Sequence, residues 1–361
     1  MRLPVSTARF ATALLDWYKK HKRDLPWRKT DNPYHVWLSE IMLQQTQVKV
    51  VVSYFLKFLS VFPTIEDLAR ADSEKVLALW SGLGYYARAR NLHMAAKQIC
   101  RDYQGVFPAD REQALGLKGV GRYTVGAVHS IAYGKLEPIV DGNIRRVMAR
   151  FMGIEEPLST SPERLWILLA RVVRHPTVRC SVSHFNQSLM ELGALVCIPS
   201  KPKCEVCPIA FGCRARKRGS QDKIPVRGRP PRVEKARFIA GVIQSKGRLL
   251  LNRNPQEGLV EGLWDLPLVQ SDFEDTVSEL TAAFLREHGL KVKVIGELSD
   301  VRHQITFRSL LFRPILLCLE QEDGKGVDWQ WVCMERKQAP VASYVRKIWA
   351  LNVARERLPS L

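Results

Sequence analysis

The 361-residue chain predicts two domains of different class, an all-α amino-terminal one and an α+β carboxy-terminal one. Three observations carry this. Apolar residues recur at helical spacing through residues 7 to 200 without alternation of period two, the composition changes after Cys213, and beyond residue 236 short β-rich runs between turn residues take over.

In the first half, "RFATALLDWYKKH" sets Phe10, Leu14, Trp17 and Tyr18 at helical spacing, and "VWLSEIMLQQTQVKVVVSYFLKFL" continues the pattern. Pro63, Pro108, Pro138, Pro157 and Pro176, with neighbouring glycines, mark the turns. Then "RARKRGSQDKIPVRGRPPRVEKAR" carries ten Lys/Arg against two acids and no apolar period. It reads as an interdomain linker lying along phosphates or as a solvated tether. After it, "FIAGVIQ", Ser-Lys-Gly-Arg and "LLLNR" form a hairpin. "KVKVIGEL", "ITFRSLLFRPILLCL" and "WQWVCM" supply further strands, and helices fit residues 275–287 and "SYVRKIWALNVARERL". The expected division is 1–213, a basic linker 214–236, and 237–361.

Fifty-five Lys+Arg against thirty-six Asp+Glu gives a net charge of +19, which suits a polyanionic partner such as nucleic acid. The amino terminus lacks the apolar core of a signal peptide, and no segment reaches the ~18 apolar residues that span a bilayer. The expectation is a cytoplasmic protein, nucleoid-associated in a bacterium, with no membrane partner. In that compartment eight cysteines point to ligands or spare thiols rather than disulfides. "CIPSKPKCEVCPIAFGC" holds Cys197, Cys204, Cys207 and Cys213 with six, two and five residues between them. Four thiolates so spaced suit a structural zinc or a cubane iron–sulfur cluster equally. Cys100, Cys180, Cys318 and Cys333 are scattered and read as ordinary buried thiols.

"LKGVGRYTVGAV" has no preceding apolar strand, no third glycine in Rossmann position and no Gly-Lys-Ser/Thr, which excludes both nucleotide-loop readings. A helix–turn–helix hairpin remains, in which Gly119 and Gly121 let backbone approach a phosphate. Asp141, in "VDGNIRRV", stands where a helix N-cap is expected. Glu40 is the sole acid in "HVWLSEIMLQQTQV", among Trp37, Leu38, Ile41, Met42 and Leu43. Such surroundings raise a carboxyl pKa and make a general acid near neutrality, although most lone helical glutamates face solvent. Gln44, one turn on, shares its face and suggests a polar pocket.

The cysteine loop after a helical domain with a Gly-x-Gly hairpin resembles the [4Fe–4S] glycosylases of the endonuclease III, helix–hairpin–helix superfamily. That resemblance implies a [4Fe–4S] cluster on the four cysteines. Lys118 stands where the superfamily usually has proline, and reads as an added phosphate contact. Purine N-glycosidic cleavage needs one protonated acid for the base and one ionised carboxylate for the sugar cation, on a base turned out of the duplex.

"RDLPWR", "WLSEIMLQQTQV", "GLGYYARARNLH", "GVGRYTVGA", "VDGNIRRV" and "FNQSLMELGALVC" together resemble the adenine DNA glycosylase family, densely over residues 8 to 213. The resemblance implies a monomeric, monofunctional enzyme of base excision repair that removes adenine opposite 8-oxoguanine or guanine in double-stranded DNA. Glu40 would protonate adenine and Asp141 stabilise the oxocarbenium. Asn143 would hold Asp141, with Tyr123 beside the sugar. Arg28, Trp27 and Glu191 would line the adenine pocket; Gln45 would wedge into the stack, with Thr46 and Tyr85 near 8-oxoguanine. A lyase of the superfamily would instead need a lysine where Tyr123 stands. Residues 237–361 resemble the family's Nudix-like recognition domain. "EGLWDLP" resembles a Nudix strand, but the helix "TVSELTAAFLREHGL" lacks the glutamates that hold Mg²⁺, so binding without hydrolysis is expected. Thr306 and Phe307 replace the family's usual Ser-His in the loop that reads 8-oxoguanine.

Overall fold

A computed structural model describes the chain except residues 158–161, 227–231, 254–262, 306, 323–328, 335–339 and 357–361. Backbone contacts divide it into two compact units, Met1–Arg70 with Asn91–Pro230, and Ala71–Arg90 with Pro231–Leu361.

The helices before residue 231 are α1 (Thr7–His21), α2 (Pro33–Leu43), α3 (Val48–Val61), α4 (Ile65–Arg70), α5 (Ser73–Trp80), α6 (Ala87–Tyr103), α7 (Arg111–Leu115), α8 (Arg122–Ile131), α9 (Gly142–Met152), α10 (Pro162–Val173), α11 (Pro176–Arg179), α12 (Val182–Leu195) and α13 (Arg214–Lys217). No strand occurs among the described residues of this half. Phe10, Leu14, Trp17 and Tyr18 of α1 are buried, as their spacing requires, in a core with Phe151 of α9 and Phe185 and Leu189 of α12. The helix read as continuous from Val36 breaks after Leu43. Gln45 takes a left-handed φ of +56°, and Gln44, the C-cap of α2, still lines one cavity with Glu40. The first part of the basic stretch is packed rather than solvated, since Ala215 and Ile224 are buried with Ala149.

In the second unit β1 (Glu234–Ser245) and β2 (Arg248–Arg253) form the expected hairpin, and β3 (Trp264–Asp265) and β4 (Leu268–Gln270) pair with β2 and β1. Lys246 and Gly247, both at positive φ, make the two-residue turn that matches strand twist. After α14 (Val277–His288) come β5 (Leu290–Glu297), β6 (Val301–Ile305), β7 (Arg308–Glu322), β8 (Trp329–Cys333) and α15 (Ser343–Glu356). The segment read as a single run, "ITFRSLLFRPILLCL", is divided between the antiparallel partners β6 and β7. β1 runs parallel to β7, and Phe284 of α14 is buried in the core with Leu280, Ile315 and Leu317. Glu261 and Gly262 of "EGLWDLP" lie outside the described residues. Cys180 and Cys318 are exposed and Cys100 and Cys333 half-buried, which corrects the expectation that these thiols are buried.

Candidate active site

A cavity of 690 Å³ opens in the first unit, walled by α2, α8, α9 and α12. Helix α2 starts on Pro33, with the Asn32 side chain accepting the Tyr34 N–H at 2.8 Å. It is apolar nearly all round, and Glu40 is buried in it at 4% exposure. Packing of α2 on α8 brings Tyr123, in the first turn after the hairpin, against this acid, and the Tyr123 hydroxyl donates to Glu40 Oε2. Asp141 caps α9, Oδ1 accepting the Ile144 N–H at 2.6 Å. Gly193 of α12 permits the close approach of α9: a Cβ there would stand 2.6 Å from Asn143 Cβ.

Burial and the neighbouring Asp141 charge raise Glu40 to about 7, against the Tyr123 hydrogen bond and the Arg28 charge. Asp141 is raised by burial, opposed by hydrogen bonds from Ile144 and Asn143. Burial first, then both carboxylates, hold the Tyr123 phenol well above its usual range, so it serves as a neutral donor.

At another part of the wall Glu191, fully buried, accepts the Arg23 N–H at 2.8 Å, its Nε at 2.9 Å and its Nη2 at 2.7 Å. Arg28 adds Nη1 at 3.0 Å and Nη2 at 2.8 Å. Burial alone would raise Glu191, but these two guanidiniums hold it down at about 2. Arg23 and Arg146, not singled out from sequence, therefore belong to the site. Arg146 donates to Asn143 Oδ1 at 2.8 Å, Gly193 O at 2.7 Å and Cys197 O at 2.8 Å. Its signal was its place one helical turn after Asn143.

One cavity thus holds two carboxyls of unequal surroundings, a neutral donor between helices, and a third carboxylate clamped by a guanidinium pair. Residues 38–169 match the HhH-GPD superfamily of base excision DNA repair proteins, and residues 239–351 match the NUDIX domain. The adenine DNA glycosylase of Buchnera aphidicola is 32% identical over 98% of this chain and 100% of its own. The chain belongs to the adenine DNA glycosylase family. The human adenine DNA glycosylase is 37% identical, over 86% of this chain and 67% of its own length. A solved thermostable thymine-DNA glycosylase is 31% identical with a TM-score of 0.52, covering 58% of this chain and 97% of that one. A solved endonuclease III–DNA complex, at 22% identity and a TM-score of 0.50 over 60% and 98%, shares the fold. The chain is therefore a DNA N-glycosylase of a family of base excision repair, and no helix of the described residues is long and apolar enough to cross a membrane.

The cavity gathers Glu40, Tyr123, Asp141 and Asn143 with Trp27, Arg28, Gln45, Thr46 and Glu191. Tyr85, at φ +50° and 41% exposed, does not line it. Thr306 lies outside the described residues, and Phe307 beside it is 42% exposed. In the hairpin Gly119 has φ +73° and a Cβ would stand 2.6 Å from Asn91 Cβ, so the fold itself demands glycine. Gly121 is extended and an added Cβ meets nothing within 4 Å, which leaves its surface clear. Lys118 is exposed, its N–H donating to Gln98 Oε1 at 3.4 Å.

Cys197, Cys204, Cys207 and Cys213 line one cavity. Arg150 braces it, donating to Ile198 O at 2.6 Å, Pro199 O at 2.8 Å, Ile224 O at 2.8 Å and Cys197 Sγ at 3.5 Å. Among the described residues no three His, Cys, Asp or Glu side chains converge closely enough to hold one metal ion.

Proposed function

We propose that the chain excises adenine mispaired with 8-oxoguanine or guanine in duplex DNA, acting as a monomer and stopping at base removal. The observation that carries this is the pairing, in one cavity, of Glu40 raised to about 7 with Asp141. Near neutrality the buried Glu40 carries the proton that the purine ring nitrogen requires before it leaves. Asp141, its carboxylate favoured by hydrogen bonds from Ile144 and Asn143 against the effect of burial, faces the developing sugar cation. Tyr123 orients Glu40 by its hydroxyl. Trp27 and Arg28, the latter clamped by Glu191, enclose the base, while Gln45 is exposed at the mouth with Thr46 beside it. No lysine is found among the described residues that line the cavity, which favours hydrolysis over a lysine-linked lyase pathway.

The four-cysteine loop fits a [4Fe–4S] cluster. Around one tetrahedral zinc every sulfur lies about 2.3 Å from a common point, whereas a cubane spreads four thiolates over four irons. The four cysteines line one cavity with no histidine or carboxylate among its lining residues, an all-thiolate set of the kind a cubane takes. When bound, the cluster would supply a structural cross-link for the loop, and no chemical step needs it. Lys118, Gly119 and Gly121 would take a backbone phosphate, and Tyr85 and Thr306 would act in recognition of 8-oxoguanine. The functional division is a glycosylase domain over 1–213, a basic linker over 214–236 and a recognition domain over 237–361.

Adenine release from A:8-oxoguanine, A:G and A:C duplexes under single-turnover conditions tests the reading. Glu40→Gln and Asp141→Asn should each lose at least about 100-fold. Near-normal release by either variant, or borohydride trapping of an enzyme–DNA adduct, would overturn it.

A further inference from the structure

A second cavity, of 360 Å³, adjoins the first and shares Arg28, Ile131 and Gln187 with it as a common wall. Its remaining walls come from Lys29, Thr30 and Asp31 in the α1–α2 connection and from Ser183 and His184 at the start of α12. Lys29, Asp31 and His184 are exposed, so this cavity reaches solvent at residues that do not line the first one. Gln187 is the neutral polar side chain of this shared wall. Its Oε1 accepts from Tyr18 Oη at 2.9 Å and its Nε2 donates to Ser183 Oγ at 3.0 Å. Both tethers are neutral hydrogen bonds, which exchange with water at small net cost.

We propose that the second cavity is a rear outlet for the excised base, gated by Gln187. The inference rests on the first cavity being the base pocket. A base turned out of a duplex is followed into the enzyme by its sugar and phosphates, which fill the entrance it used. Once the glycosidic bond is cut, the free base leaves by that entrance only after the abasic strand moves. An outlet through Gln187 separates the two departures. The chamber's size falls in the small-ligand range of roughly 300–1,000 Å³. Its chemistry suits a purine edge, with donors on Lys29 and Thr30 for ring nitrogens and the Asp31 carboxylate for an exocyclic amine.

The test uses the full-length protein in excess over an A:8-oxoguanine duplex whose adenine is radiolabelled. Excision is read as alkali-sensitive strands, and base retention as label held with the enzyme–DNA complex on a filter. In the wild type the label should leave while the abasic duplex stays bound. Thr30→Trp and His184→Trp, which fill the outlet, should excise at a rate within about twofold of wild type and hold the label about tenfold longer. His184→Ala, which empties the same place, should release the label as the wild type does, and Gln187→Ala should release it faster. Label loss from both tryptophan variants at the wild-type rate, or release from the wild type only as DNA dissociates, overturns the outlet. Absence of excision by the wild type refutes the base-pocket reading instead.

Discussion

Replacing Tyr123 by Phe removes one hydroxyl and keeps the ring. That hydroxyl donates to Glu40 Oε2 and favours the ionised carboxylate, while burial and Asp141 push the other way, to about 7. A hydrogen bond to a charged group contributes about 1.5–3 kcal/mol. One pKa unit corresponds to about 1.4 kcal/mol. Losing the donor should therefore move Glu40 upward by about one to two, which carries the alkaline limb of base release from near pH 7 to about pH 8–9. In the role proposed for Glu40, a general acid works below its own pKa, so activity falls as pH rises through it, and the variant should keep its rate further into the alkaline range. The assay is single-turnover adenine release from an A:8-oxoguanine duplex across pH, wild type beside variant, reading the midpoint of the limb rather than its height. An unmoved limb, or one displaced to lower pH, would refute the assignment of Glu40 as the acid under Tyr123 control.

Because Glu40 is raised from 4.5 to about 7 on folding, its contribution is intact below pH 4.5 and lost as pH rises through 7. The interval corresponds to about 3 kcal/mol, so Glu40→Gln should unfold in urea with a flatter alkaline decline than wild type. Glu191 behaves oppositely, being held at about 2, so its contribution is present above 4.5 and lost as pH falls towards 2. Glu191→Ala, which strands the two guanidiniums, should destabilise by about 3–5 kcal/mol in the same titration. Gly193→Ala must push α9 from α12, and is expected to cost about 1–3 kcal/mol in thermal unfolding and slow excision together. Cys204→Ser should lose the brown absorbance and bound iron; a zinc content in its place would decide against the cluster.

Much of the site was legible because its residues carry local signals. An acid in an apolar helix and an aspartate at a helix start each mark themselves within a few positions, as do cysteines at close spacing. The Arg23–Glu191 bond spans 168 positions and needs the folded chain to be seen. The break after Leu43 was hidden for another reason. Apolar spacing continues on both sides of it, and neither glycine nor proline announces the turn, so the left-handed Gln45 is set by packing rather than by propensity. The division between β6, ending at Ile305, and β7, starting at Arg308, was hidden in the same way, by β-forming residues on either side.

The Asp141 carboxylate caps α9 and, in the proposed mechanism, also faces the reacting sugar, and this shapes how activity decays under mutation. Asparagine caps a helix about as well as aspartate, whereas alanine forfeits roughly 0.5–2 kcal/mol of helix stability. Drift at this position therefore has one quiet route, Asp141→Asn, which removes the charge but leaves the fold standing. Other substitutions tend to announce themselves as instability. A population of inactive but well-folded descendants would accordingly be enriched in that single change, and a screen that selects on solubility alone would pass it unnoticed.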